Sequence, residues 1–229
     1  YIIPRKDLDW DTDHSENPVI EIKGDGVVSI KKIRDFHYND EGVVQEEYLD
    51  EQYNVSELEA VDLVVSHFSE VKTVAHPFVR FRFKDGKSVS ISIEARREKE
   101  EKYGIFKGLV NGFELHYSIG TDRDLIGGRM KKGQSVYKYG MDIDQADRKS
   151  LFLDIIRRTQ QTQAKPEHYN TWENQCSTNL FKHIRKAVKS SDKSVPYTYF
   201  KQRLPGLLAE HLYDSGFLKQ PKGDSFEAL

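Results

Sequence analysis

The chain has 229 residues, of which 37% are hydrophobic and 31% charged, a composition typical of a folded globular protein rather than a disordered one. No apolar run approaches the roughly 18 residues of a membrane span, and the net charge of −2 gives no general attraction to nucleic acid. Because Cys176 is the only cysteine, the sequence excludes an internal disulfide and a cysteine-rich zinc site.

Charge is distributed unevenly along the chain. Residues 39–62 hold nine acids and no Lys or Arg, whereas residues 180–203 hold seven bases and one acid. The basic stretch favours either an anionic surface such as phospholipid headgroups or a solvated helix face. The chain begins at Tyr1 rather than Met, which is compatible with removal of a signal peptide or a membrane anchor.

Alternating apolar and polar residues predict a series of strands separated by turns. These strands lie at residues 19–23, 27–38, 43–53, 61–68, 74–83, 88–96, 113–119 and 136–141. Helical spacing predicts short helices at 56–59 and 122–128, a long helix at 142–163 and short helices between 195 and 219. The pattern indicates an α+β domain with a mostly antiparallel sheet and packed helices.

The clearest hairpin joins the strands at 74–83 and 88–96 through Lys84-Asp85-Gly86-Lys87. Matching the apolar faces predicts Phe83 opposite Val89, which requires an odd-length loop or a bulge. Ile91 and Ile93 then belong to the core and Ser90 and Ser92 do not. The same register brings His76 and Glu94 onto the polar face, about two positions apart.

Cys176 lies in a polar segment and directly before a helical pattern formed by Leu180, Phe181, Ile184, Ala187 and Val188. Three residue types that cap helices surround it: Asn174, Ser177 and Thr178. The first turn of a helix offers unpaired N–H groups, which favour a thiolate over a thiol and can stabilise an oxyanion. The alternative is that Cys176 is a small buried core residue.

A cysteine nucleophile needs a base within hydrogen-bond reach. His76 starts a core strand and shares a face with Glu94, which could orient the imidazole. The alternative for His76 is a core histidine that a backbone carbonyl satisfies, and His168 in the loop before the cysteine helix is a second candidate base. No phosphate loop, serine nucleophile elbow or metal-binding motif is present, so we expect no cofactor and no metal.

The order of these segments resembles a known family. The segments are "VAHPFVRFRFKDG", "SVSISIEARREKEE", "FELHYSIGTDRDLI", "VYKY" and "HYNTWENQCSTN". They resemble the Lnb N-terminal periplasmic domain family over roughly residues 17–215, and "YNTWENQCSTN" and "IEARRE" are the most specific pieces. Named members of that family are lipoprotein N-acyltransferases. Their catalytic order is similar to that of permuted papain-like enzymes such as the lecithin–retinol acyltransferase group, in which a strand His precedes a Cys at a helix start.

The resemblance implies Cys176 as nucleophile, His76 as base and Glu94 as the group that orients the base. It also marks Asn174, Arg97 and Arg123 as candidate substrate-binding residues. The implied activity is a thiol-dependent acyltransferase of the bacterial envelope, which moves an acyl chain from a phospholipid to a lipoprotein amino terminus through a Cys176 thioester. The alternatives are a cysteine hydrolase (peptidase or amidase) of cell-wall peptide and a non-catalytic envelope binding domain.

The family's acyltransferases carry membrane-spanning helices beside this domain, and the present sequence contains none. We therefore expect the chain to be either a soluble fragment of such a protein or a family member with another substrate. The resemblance implies a periplasmic or cell-envelope location, with any membrane anchor in a segment outside the printed chain. The predicted organisation is a lead-in at 1–16, a single domain at 17–219 and a tail at 220–229. The predicted partners are phospholipid and lipoprotein, with peripheral membrane contact and no nucleic acid.

Overall fold

The computed structural model describes residues 9–24, 26–39, 41–99, 112–188, 196–198 and 200–219. The predicted tail and the first half of the lead-in lie outside these residues. The strands are β1 Val19–Ile22, β2 Val27–Arg34, β3 His37–Asn39, β4 Gly42–Gln45, β5 Tyr48–Asn54, β6 Leu58–His67, β7 Ala75–Phe83, β8 Ser88–Arg96, β9 Phe113–Gly120, β10 Ser135–Gly140 and β11 His168–Tyr169. The helices are α1 Gly128–Lys131, α2 Gln145–Ala164, α3 Cys176–Ala187 and α4 Leu208–Asp214.

Nine of the described strands form one sheet with the order β1-β2-β9-β8-β7-β6-β10, in which β5 also pairs with β2 and β11 with β9. All of its ladders are antiparallel except a single parallel contact between Arg34 and Gly120. The prediction of an α+β fold with a mostly antiparallel sheet is therefore confirmed.

The core lies between one face of the sheet and helices α2 and α3. Strands β7 and β8 contribute Phe81 and Ile91, and α3 contributes Leu180 and Ile184 one turn apart. Burying a large apolar side chain of this kind contributes roughly 1.5–3 kcal/mol. The apolar residues of α3 recur at helical spacing and so form one face of the helix. That face packs on the face of the sheet formed by alternate residues of the strands.

The hairpin between β7 and β8 corrects the predicted register. Phe81, not Phe83, lies opposite Val89. The loop is three residues long because the Phe83 N–H donates to the Lys87 carbonyl, and Gly86 takes a positive φ of 85°. A shift of two residues leaves every side chain on its predicted face. It does, however, move the register position of His76 from two residues away to directly opposite Glu94.

The polar face of the sheet is also buried, which the sequence did not indicate. Ser90 and Ser92 are both 0% exposed. The chain from the π-helical turn Arg123–Gly127 into α1 covers this face, where Leu125 packs with Phe78 in a second apolar cluster. The expectation that Ser90 and Ser92 lie outside the interior was therefore wrong.

Three further element predictions were wrong. The predicted strand at 27–38 is divided into β2 and β3. The predicted helix at 56–59 is a 3-10 turn at Val55–Glu57, capped by the Asn54 side chain, and β6 begins directly after it. The predicted strand at 43–53 is divided into β4 and β5.

Candidate active site

Cys176 is the first residue of α3 and is 3% exposed. Its N-cap residue is Gln175, which has an extended backbone and forms a reciprocal capping box with Thr178. In that box the Gln175 N–H donates to the Thr178 Oγ1 at 3.0 Å. The position of Cys176 in the first turn is as predicted, but none of Asn174, Ser177 and Thr178 is the N-cap.

Asn174 organises the turn that leads into α3. Its side-chain amide donates to the carbonyl of His168 at 2.7 Å, and its side-chain oxygen accepts from Asn179 at 2.9 Å. Asn179 also donates to the Gln175 carbonyl at 2.9 Å. Asn174 therefore ties the loop to the first turn of the helix, two residues before the cysteine.

His76 is the second residue of β7, where β7 and β8 separate. Their ladder runs from Val79 to Arg82, and the same register would place His76 opposite Glu94. In the gap beyond the ladder, the Nε2 of His76 lies 2.6 Å from Ser92 Oγ and 3.2 Å from Glu94 Oε1. The Cys176 thiol lies close enough to this imidazole to raise its pKa, and the thiol itself lies 3.9 Å from Gln175 Oε1.

Arg129 holds the carboxylate that backs the imidazole. Its guanidinium donates to Glu94 Oε1 at 2.7 Å and to the Leu125 carbonyl at 2.7 Å. It also lies 4.7 Å from the ring centroid of Phe78. With a further donation to Ser92 Oγ at 3.4 Å, four groups fix the direction in which Arg129 points, and the Glu94 carboxylate lies between Arg129 and His76.

The charges of this cluster favour an ion pair at neutral pH. Burial alone would lower the pKa of His76, but Glu94 and Cys176 outweigh it and raise that pKa to about 9. Burial would raise the pKa of Glu94, but His76 and Arg129 hold it well below its usual range. His76 is therefore an imidazolium and Glu94 a carboxylate at pH 7.

Two other histidines approach Glu94 but are neutral. His14 and His116 are buried and meet edge to face at 5.6 Å between ring centroids, and His116 lies opposite Glu94 on β9. Burial lowers the pKa of His14 to about 4, although Glu94 and Asp13 oppose it. Burial also holds the pKa of His116 well below its usual value.

His183 belongs to the packing between helices and sheet. Its Nδ1 lies 2.7 Å from Asp154 on α2 and its Nε2 lies 2.9 Å from the hydroxyl of Tyr117 on β9. His168, the other candidate base, lies in β11 opposite Glu114. The structure thus brings His76, and neither of these two, to the N-terminus of α3.

Arg97 and Arg123 lie in ion pairs away from this cluster. Arg97 pairs with Asp11 at 3.0 Å. Arg123 is 52% exposed and pairs with the buried carboxylate of Asp35.

Asp35 also belongs, with His37 and Glu47, to a group in the described part of the chain whose possible metal-ligand atoms lie within 4.8 Å of one another. The guanidinium of Arg123 already supplies the positive charge there.

Sequence reasoning missed Ser92 and Arg129. Ser92 lies two residues before Glu94 on the same face of β8, so the alternation of the strand is a signal that could have found it. Arg129 comes from a segment about 35 residues further along the chain, and no local pattern links it to the strand.

These features define an α+β domain in which a cysteine at a helix N-terminus meets a strand histidine backed by a carboxylate. Residues 44–206, more than half of the chain, match the Lnb N-terminal periplasmic domain. The chain belongs to this family, as its resemblance predicted, and the family indicates an envelope-related function and fits a periplasmic location.

No curated protein and no solved structure matches the chain, so the permuted papain-like order stays a prediction. Within the described ranges, no helix combines the length and apolar character needed to cross a membrane.

Proposed function

We propose that the protein is a thiol acyltransferase of the cell envelope, with Cys176 as nucleophile, His76 as base and Glu94 as the residue that orients His76. The observation that carries the proposal is the proximity of the Cys176 thiol to an imidazole that also lies 3.2 Å from the half-buried carboxylate of Glu94. A nucleophile, a base and an orienting acid in this sequence are the parts that covalent acyl transfer requires.

The first step forms a thioester. The Cys176 thiolate attacks the ester carbonyl carbon of the donor, an Sγ–C bond forms, and the negative charge moves to the carbonyl oxygen. Backbone N–H groups at the start of α3 stabilise this oxyanion. As the intermediate collapses, the C–O bond to the glycerol backbone breaks, and the leaving alkoxide takes the proton from the His76 imidazolium.

The second step transfers the acyl group to an amine. The acceptor nitrogen attacks the thioester carbonyl, a C–N bond forms, and neutral His76 takes a proton from that nitrogen. The C–S bond then breaks and restores the thiolate beside the imidazolium. Glu94 stabilises the imidazolium in both steps and does not itself need to take up a proton.

The donor we propose is a phospholipid, and the acceptor is the amino terminus of a lipoprotein. The resemblance to lipoprotein N-acyltransferases supports both. The loop between β6 and β7, which leads directly to His76, exposes three apolar side chains that suit contact with a lipid surface. These are Phe68 at 54%, Val71 at 56% and Val74 at 36% exposure.

The test is transfer of a labelled acyl chain from phospholipid to a diacylated lipopeptide in mixed micelles. We expect label on the lipopeptide and a matching acyl mass on Cys176 when the acceptor is left out, with neither in Cys176→Ala. Release of label only as free acid would identify a hydrolase instead. No adduct and no turnover would refute the proposed chemistry.

A further inference from the structure

A serine lies between the imidazole and the carboxylate of the candidate site. Ser92 Oγ lies 2.5 Å from Glu94 Oε1 and 2.6 Å from His76 Nε2, whereas the direct distance from Nε2 to Oε1 is 3.2 Å. The short contacts therefore run through the hydroxyl. Ser92 is 0% exposed.

A count of hydrogens assigns a direction to this chain of hydrogen bonds. A serine hydroxyl has one hydrogen to donate, and an ionised carboxylate can only accept. The Ser92 hydrogen must therefore point to Glu94. Its oxygen then acts only as an acceptor, from Arg129 at 3.4 Å and from His76 at 2.6 Å, so the ring nitrogen that faces Ser92 carries a hydrogen.

Arg129 excludes the opposite direction of these hydrogen bonds. A protonated Glu94 could donate to Ser92, which would then donate to a bare Nε2. That arrangement needs a neutral carboxyl group, yet Arg129 donates to the same Oε1 at 2.7 Å. Together with His76, it holds the pKa of Glu94 well below its usual range against the opposing effect of burial.

We propose that Ser92 is a positioning residue, which accepts a hydrogen bond from Nε2–H of His76 and so turns the Nδ1 of the ring toward the Cys176 thiol. The proton exchanged with the thiol then moves at Nδ1, while Nε2–H stays bonded to Ser92. Ser92 and Glu94 act as one unit, with Arg129 keeping the carboxylate an acceptor. The inference rests on the proposed function in one respect only, which is that the Cys176 thiol is the group that exchanges a proton with Nδ1.

The test is nitrogen-15 NMR of histidine side chains in a Cys176→Ala background, which removes the thiol from the neighbourhood of His76. The histidine resonances that disappear in His76→Gln are assigned to His76. About one unit above its titration midpoint, neutral His76 should carry its proton on Nε2. A proton on Nδ1 would overturn the proposal.

Ser92→Ala and Ser90→Ala form a matched pair. Ser90 is equally buried on the same face of β8 but donates to Asp122 at 3.1 Å. Ser92→Ala removes an acceptor of the imidazolium, so it should lower the His76 midpoint by about half a unit to one unit. Ser90→Ala should leave the midpoint in place. Equal midpoints in the two variants would refute the role of Ser92.

These readouts do not need acyl transfer, so they separate the two proposals. If the NMR results hold but Cys176→Ala stays active, the proposed function fails and the role of Ser92 stands. In the assay itself, Ser92→Ala should lower kcat roughly tenfold or more and leave the KM for phospholipid unchanged. A rise in KM alone would instead indicate that Ser92 contributes to substrate binding.

Discussion

The neighbours of each imidazole, rather than its burial, distinguish the histidines around Glu94. His14, His76 and His116 are all near this carboxylate, and burial disfavours the charged form of each. Only His76 has close partners that reverse the effect of burial on its pKa. These partners are the Ser92–Glu94 pair and the Cys176 thiol. A histidine whose pKa is shifted in the opposite direction from its neighbours is a candidate functional residue.

At the residue scale, we predict that Cys176 and His76 act as one unit. Cys176→Ala and His76→Ala should each abolish acyl transfer, and the double variant should be no worse than either, because both changes stop the same step. The measurement is initial rate in the labelled-phospholipid assay, with thermal melts to verify folding. His168→Ala is the control and should keep activity. Activity lost in His168→Ala but kept in His76→Ala would show that the base comes from the loop before α3.

At the element scale, one segment joins the strand that carries His76 to the helix that carries Cys176. The Gln175 side chain, at the N-cap of α3, donates to the Arg203 carbonyl at 2.6 Å. Three residues further along, the Gly206 N–H donates to the Thr73 carbonyl at 3.2 Å, just before β7 begins. The backbones approach so closely that a Cβ on Gly206 would lie 1.8 Å from the Lys72 carbonyl oxygen.

Gly206→Ala should therefore push this segment away from β7. The start of β7 and the start of α3 should both become less firmly held. We expect the free energy of unfolding to fall by about 1–3 kcal/mol, as for other overpacked sites, and acyl transfer to fall with it. Gly24→Ala is the matched control, since a Cβ there meets nothing within 4 Å, and it should change stability by less than about 0.5 kcal/mol. Chemical denaturation measures both variants. Equal stability of the two would show that the segment does not clamp the site.

At the scale of the whole molecule, the sequence predicts what depends on local periodicity. The faces of β7 and β8 follow from alternation, and the start of α3 follows from helical spacing. Both patterns can be recognised from residues that are close together in the sequence. The hairpin register required a loop geometry that Gly86 sets. Arg129 and the burial of Ser92 depend on how a distant segment folds over the sheet. Such long-range contacts leave no periodic signal.

His14, His76 and His116 together predict how stability varies with pH. The pKa of His76 is raised from 6.5 to about 9, so its stabilising effect is complete below pH 6.5 and is lost as pH rises through 9. His14 has the opposite sign because its pKa is lowered from 6.5 to about 4, so stability is lost as pH falls through that window. His116 acts in the same direction as His14. The free energy of unfolding should therefore be greatest near pH 6.5.

His76→Gln should remove the alkaline side of this profile, whereas the loss of stability that His14 and His116 cause below pH 6.5 should remain. The comparison is made in Cys176→Ala, because a thiol titrates in the same range. In that background the raised pKa of His76 still follows from Glu94. One such group changes stability by at most about 1.4 kcal/mol per pH unit. Urea denaturation from pH 5 to 9 measures both proteins. If the alkaline loss persists in His76→Gln, His76 is not an imidazolium in the folded protein, and its assignment as the charged partner of Glu94 is wrong.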